Sequence, residues 1–374
     1  MADLLDLASD VADRCHSAAP DVDFEGAFPE REFGWLAEAG LLSAPLRRDI
    51  GGLGLGSEPG GTLPLLRVLK RIGRGNLSVG RLYEGHVNAL LLIQQFGTPE
   101  QVEGYAADAR LGRRFAVWNT EAKDGIHFEP SGRGRYRMRG SKTFASGAGH
   151  VERPIVNGAL PDGGWQMCVV ATERAGSAVI DPSSWRPLGM RASASTRIDY
   201  SGVEVEASDL LGRPGDYRRE PAFSGGAIRF AAVQLGGAEA LFEATRGHLK
   251  ATGRGDDPYQ RARLGEMAIA VEGGNLWLSG AAASADEPGA DPAAVVAYAN
   301  MVRTAIASIC ENVLGWAERS VGAQGLLRPH PIERIGRDLT LYLRQPGPDA
   351  ALAGVGRHVL ESPLDAERLW PDVG

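Results

Sequence analysis

The sequence predicts an α+β chain in three successive regions: helical over residues 1–112, strand-rich over 113–214 and helical again over 215–362, with a tail at 363–374. Three observations carry that expectation. Apolar residues recur every three to four positions in the first third, the period changes to two near Arg113, and helical spacing returns after Gly212. At 374 residues the chain is long enough for two or three packed units, because single cores stop growing beyond about 250–300 residues.

In the first region Phe33, Leu36 and Ala37 share a face of a helix over Phe28–Leu42 that stops near Gly40, and the pattern repeats from Leu63 to Ile72 and from Val79 to Phe96. Thr98 followed by Pro99 reads as the start of another helix, Thr98 capping it. In the middle region Phe115, Val117 and Asn119 alternate, as does Tyr136–Arg139, and Gln166–Ala171 is a short strand-like run. Gly132, Gly134, Gly140, Gly147 and Gly149 punctuate it as turns. Helices then span Ile228–Leu249, Pro258–Ala283 and Pro292–Val321, the last long enough to form one wall of a bundle. Ordered structure is expected to end near Pro363.

Composition excludes several classes. A net charge of −7 without a long basic run argues against nucleic acid and anionic membranes. Cys15, Cys168 and Cys310 are isolated and odd in number, which suits neither a disulfide framework nor a zinc site and fits a reducing cytoplasm. No stretch reads as the roughly 20 apolar residues that cross a bilayer, and the acidic start lacks a signal-peptide layout. Gly51–Gly56 imitates a dinucleotide fingerprint, but Pro45-Leu-Arg-Arg precedes it where a strand is required, so it reads as a loop.

The run Trp185–Gly212, with Leu188-Gly-Met-Arg-Ala-Ser and Val203-Glu-Val ahead of Leu210-Leu-Gly, closes the strand-rich region. Together with Trp118-Asn-Thr-Glu121 and Gly140-Ser-Lys-Thr-Phe-Ala-Ser-Gly147, it resembles the acyl-CoA dehydrogenase family over roughly residues 28–360. That resemblance implies a helical domain, a middle β-barrel and a C-terminal four-helix bundle. It also implies FAD, with Trp118, Thr120, Phe144 and Ser146 at the ring: Thr120 at the pyrimidine edge, Phe144 over one face and Ser146 near N5. Read without the resemblance, these are ordinary strand residues and Phe144 fills a core.

Three departures follow from the same resemblance. The family's pyrophosphate-touching Gly-Ser-Asp becomes Gly125-Ile-His127. Its adenine-holding Arg-x-x-Phe-Gly turn is absent, which leaves Arg254 as a phosphate contact and Gly322 in a turn that faces a partner subunit's cofactor or merely ends a helix. FAD is therefore expected to be weakly held or replaced by reduced flavin supplied in trans. The catalytic glutamate position falls on Pro346, which cannot accept a proton, and the alternative location, Phe223–Arg229, holds no carboxylate either. Asp349 is the nearest acid, as base or as N-cap of a helix Ala350–Leu360. His86 is a second candidate acid or base, or a hydrogen-bonded core histidine. His358 reads as surface.

These features imply, first, α,β-dehydrogenation of an acyl thioester. A second reading keeps the fold but uses reduced flavin and oxygen to oxygenate a small molecule, which needs no glutamate. A third is a non-catalytic partner of an active homologue. The long apolar helix Ala293–Val313 implies a homodimer or homotetramer.

Overall fold

The computed structural model describes residues 2–370. Five helices precede the sheets: α1 (Ala2–Glu25), α2 (Glu30–Glu38), α3 (Thr62–Gly75), α4 (Leu77–Phe96) and α5 (Pro99–Arg110). Helix α1 is the element the sequence reading passed over, although Ala8, Val11, Ala12, Cys15, Ala19 and Val22 place its buried stripe at helical spacing. Thr98 does cap α5: its hydroxyl accepts from the Gln101 amide, and the Gln101 side chain reaches back to the Thr98 amide.

Ten strands follow. β1 (Phe115–Trp118), β2 (His127–Gly132), β3 (Arg135–Arg139), β5 (Arg153–Ala159), β6 (Trp165–Val169), β9 (Glu204–Glu206) and β10 (Leu210–Leu211) form one sheet. Its order is β10-β6-β5-β2-β3-β9, with β1 parallel to β5 in the register Phe115↔Arg153. β4 (Ser141–Ala145), β8 (Thr196–Asp199) and β7 (Val179–Asp181) form a second sheet in the order β4-β8-β7. The expected barrel is thus built from two sheets closing on one core, in which Phe128, Met138 and Cys168 of the first meet Ala145 and Ile198 of the second.

The C-terminal helices are a short α6 (Ala222–Gly225), then α7 (Ala227–Ala251), α8 (Pro258–Asp286), α9 (Pro292–Val321), α10 (Pro331–Tyr342) and α11 (Pro348–Glu361). Asp257 and Asp291 cap α8 and α9 ahead of a proline in the first turn. Helix α7 lies directly on α3 because two glycines let the backbones touch. A Cβ on Gly236 would sit 2.1 Å from the Lys70 carbonyl oxygen, and one on Gly73 would sit 2.4 Å from that of Val233. One apolar core consequently runs through both helical regions, joining Leu66 and Leu69 to Val233, Leu235 and Ile306.

Two expectations need correction. The segment Pro292–Leu326 is long and apolar enough to cross a membrane by length and composition, with a mean hydropathy of 1.4 over its best window. In this fold it packs against α7, α8, α10 and α11, with about a third of that window buried. The described chain also continues past Pro363, with Trp370 edge-on to Tyr298 at 6.0 Å and tilted over His358 at 5.6 Å. Residues 371–374 of the expected tail lie outside the described residues.

Candidate active site

Three residues other than glycine adopt left-handed backbone among the described residues: Phe144 (φ 52°), Met190 (φ 55°) and Ala194 (φ 43°). Phe144 lies in the Gly140–Gly147 segment and Met190 and Ala194 in the Trp185–Gly212 run, both of which carry the family resemblance. Such backbone costs on the order of 1–3 kcal/mol per residue and persists where surrounding structure enforces it. At Phe144 the β4–β8 register slips between Lys142 and Ala145, and the bulge turns the ring outward. The ring is 58% exposed and meets Trp185 edge-on at 6.0 Å. It therefore fills no core; it is an open platform.

Met190 is pinned from the bundle. Its amide donates to Asp338 Oδ1 at 2.6 Å, and a Cβ on Gly189 would lie 2.2 Å from the Arg337 carbonyl oxygen. Asp338 is 3% exposed, and its burial pushes the carboxyl up to about 6 against the partial offset of Arg334. Behind Phe144, Ser146 Oγ shares a hydrogen with Ser195 Oγ at 2.8 Å, which shares another with Ser193 Oγ at 2.8 Å. Thr120 is exposed on the same side, its carbonyl accepting from the Thr143 amide. Thr120 is therefore joined to β4 beside Phe144 through its backbone, while Ser146 lies buried behind the exposed Phe144 ring.

Trp118 takes a different place. It is 2% exposed, and its indole Nε1 donates to the Ser146 carbonyl, so it supports the slot from below. Beneath it a crevice between α4 and β1 is walled by Phe28, Phe33, Phe115 and Trp118, with Arg81 and Ser146 as polar members. It encloses about 10 Å³, room for about one water, so a bound ring must displace these side chains.

The other candidates do not join the slot. His86 is 0% exposed; its Nε2 donates to the Leu42 carbonyl at 2.7 Å and its Nδ1 accepts from the Phe115 amide at 3.1 Å. Both nitrogens are consumed, and burial pushes the ring down to about 4. This histidine is a tie between α4, β1 and the 41–46 segment, not an available acid or base. Asp349 is exposed on the first turn of α11, whose N-cap is Gly347 rather than Asp349. Arg254 and Gly322 lie together, Arg254 Nη1 donating to the Ser320 carbonyl at 3.2 Å. They sit at the far end of α7, whose 25 residues span about 37 Å.

Two further departures acquire physical reasons. Ile126, where the family has serine, is fully buried, and its amide donates to Glu121 Oε1 at 3.0 Å, so a carboxylate already holds that donor. At Pro346, where the resemblance puts the family's base, the carbonyl accepts from Arg303 Nη2 at 2.9 Å. Sequence reasoning missed Lys142, which is fully buried and donates to the Asn119 carbonyl at 3.1 Å, with Glu121 Oε1 3.7 Å away. Its burial lowers the amine to about 8. A lysine within an apolar–polar alternation gives no sign that it points inward.

Comparison with known proteins agrees with the architecture. The acyl-CoA dehydrogenase N-terminal domain model matches residues 3–110 and the corresponding C-terminal domain model matches residues 228–343, together more than half of the chain. The chain belongs to the acyl-CoA dehydrogenase family. Among its relatives are the dibenzothiophene monooxygenase of Rhodococcus erythropolis, 25% identical over 395 residues with 95% of this chain and 92% of that one covered, and the mitochondrial isobutyryl-CoA dehydrogenase of Dictyostelium discoideum, 25% identical over 354 residues with 88% and 81% covered. The crystal structure of FMN-bound TdsC from Paenibacillus sp. A11-2 shares the fold with a TM-score of 0.83 at 21% identity, covering 98% of this chain and all of that one.

Proposed function

We propose that this chain is a flavin-dependent monooxygenase that takes reduced flavin from a separate reductase and uses oxygen to oxidise a small molecule. The observation that carries the reading is the corner around Pro346. Thioester dehydrogenation needs a carboxylate there to remove an α-proton, whereas this chain presents a proline carbonyl held by Arg303 and an outward-facing Asp349. Similarity to dibenzothiophene monooxygenases over nearly the whole length supports it further.

Reduced flavin, when bound, would supply the two electrons with which molecular oxygen gives one atom to the substrate and leaves the other as water. The residues that would hold it are Phe144 under the ring, Thr120 at its edge and Ser146 at its reactive side. The Ser146–Ser195–Ser193 hydroxyls can hold or pass a proton at Ser146 Oγ, shielded from water. Trp118 fixes the Ser146 backbone, and Asp338 fixes the Met190 loop. The Glu121 carboxylate at the Ile126 amide disfavours a diphosphate, which supports FMN over FAD. Ile269 and Leu276, two turns apart on α8, are 72% and 65% exposed, which supports a contact between copies there.

Anaerobic equilibrium dialysis tests the supply of flavin. Reduced FMN should be retained at least tenfold more tightly than oxidised FAD. Stoichiometric FAD that copurifies and is bleached by an acyl-CoA would contradict the reading.

A further inference from the structure

Arg81 leads from the aromatic crevice into a polar cluster that joins α4 to α7. Its Nη1 donates to Glu84 Oε2 at 2.6 Å. The other Glu84 oxygen accepts from Asn88 Nδ2, and Asn88 Oδ1 accepts from Arg229 Nε in the first turn of α7. Glu84 is 3% exposed and pairs directly with Arg81 alone, while Arg229 reaches it only through Asn88. Among the described residues Arg229 makes no other side-chain hydrogen bond and no ion pair, which leaves both terminal nitrogens as donors. Tyr342 of α10 is 4% exposed, its hydroxyl has no partner, and it feels the charges of both Arg81 and Glu84. A half-buried cation that gives one hydrogen bond beside an unpartnered buried hydroxyl costs free energy unless something else occupies the donors. Burial does push the Arg229 guanidinium down despite Glu84.

We infer that this cluster recognises an acid group on the substrate: a carboxylate-bearing small molecule whose apolar, ring-sized body displaces the Phe28, Phe33 and Phe115 side chains while its carboxylate meets Arg81, Arg229 and the Tyr342 hydroxyl. The inference rests on the proposed function in taking the crevice beneath the slot as the substrate's place. Geometry favours a carboxylate because a guanidinium presents two parallel donors to two oxygens, and the tyrosine adds a third. Glu84 then acts as the competitor that holds Arg81 when the acid is absent. Arg229 and Arg81 are binding residues; no proton or electron moves through them.

Calorimetric titration of the full chain with indole-3-acetate and its uncharged counterpart indole-3-acetamide tests the inference, with and without FMN. The acid should bind at least tenfold more tightly than the amide. Arg229→Gln should abolish that preference by weakening the acid alone, Arg229→Lys should restore part of it, and Glu84→Gln should tighten the acid several-fold. Thermal midpoints of the variants separate lost binding from lost folding, and if Arg229→Gln does not fold, Arg229→Lys and Glu84→Gln carry the comparison. Equal affinities for acid and amide, or no binding of the acid at about 1 mM, overturn the proposal. A chain that takes up no reduced FMN yet prefers the acid keeps this site and loses the flavin reading. One that reacts with reduced FMN and oxygen but shows no preference keeps the flavin reading and loses this one.

Discussion

The two sides of the site differ in what they preserve. On the ring-facing side, Phe144, Met190 and Ala194 are held in costly left-handed backbone by a bulge, by Asp338 and by glycine-close packing on α10. On the proton-removing side, the position of the family's glutamate carries a proline, its carbonyl is taken by an arginine, and the nearest acid faces solvent. The first side is specified by many residues acting on the backbone, and it remains. The second depends on one side chain and has been replaced. On the proposed reading, flavin-slot geometry and proton abstraction are separable properties of the fold, so the slot alone does not fix the reaction.

Four substitutions sharpen or break that contrast. The largest effect is expected at His86, which belongs to neither side. His86→Ala leaves the Leu42 carbonyl and the Phe115 amide buried without partners and should cost about 2–5 kcal/mol of stability in denaturant titrations. Burial lowers this histidine to about 4 from 6.5, so its contribution is present above pH 6.5 and is lost as the pH falls toward 4. A variant that stays fully stable but loses all turnover would return His86 to the catalytic side.

Asp338 titrates with the opposite sign. Its carboxyl is raised to about 6 from 3.8, so its contribution is present below 3.8 and is lost as the pH rises through 6. The stability of the wild type relative to Asp338→Asn should therefore decline from pH 4 to pH 7, by at most about 3 kcal/mol. A rise over that window would mean that Arg334 pairs with Asp338 more strongly than burial opposes it.

Phe144→Ala removes an exposed platform. Flavin fluorescence titration should show binding weakened about tenfold, or about 1.4 kcal/mol, with the thermal midpoint nearly unchanged. Unaltered affinity would place the ring elsewhere. The smallest effect belongs to Asp349→Asn: stability within about 0.5 kcal/mol and an unchanged pH–rate profile, whereas a large loss of turnover would restore Asp349 as the base.

Much of the fold was legible in the sequence because it is written in local chemistry. Asp291-Pro292 starts α9 and Gly322 ends it, and Thr98-Pro99 starts α5, where the residues themselves supply the caps. The long N-terminal helix was not individually assigned, because its small residues make a weak stripe interrupted by Pro20. The site was legible only in part. Motif spacing located Phe144 and Ser146, yet not the bulge that turns Phe144 outward, since that conformation is imposed by β8 across the sheet. Helical spacing placed His86 on α4 without saying which face is buried. The arginine cluster was invisible because Arg81, Arg229 and Tyr342 come from three separate helices, and only their packing joins them.

The reaction itself is decided most directly by rapid mixing of the chain with FMN in two arms. With reduced FMN and oxygenated buffer, the chain should give a reoxidation time course unlike that of free flavin, through a transient species. With oxidised FMN and isobutyryl-CoA under anaerobic conditions, the flavin should stay yellow. Anaerobic bleaching by the thioester, with reoxidation no different from free flavin, would contradict the assignment.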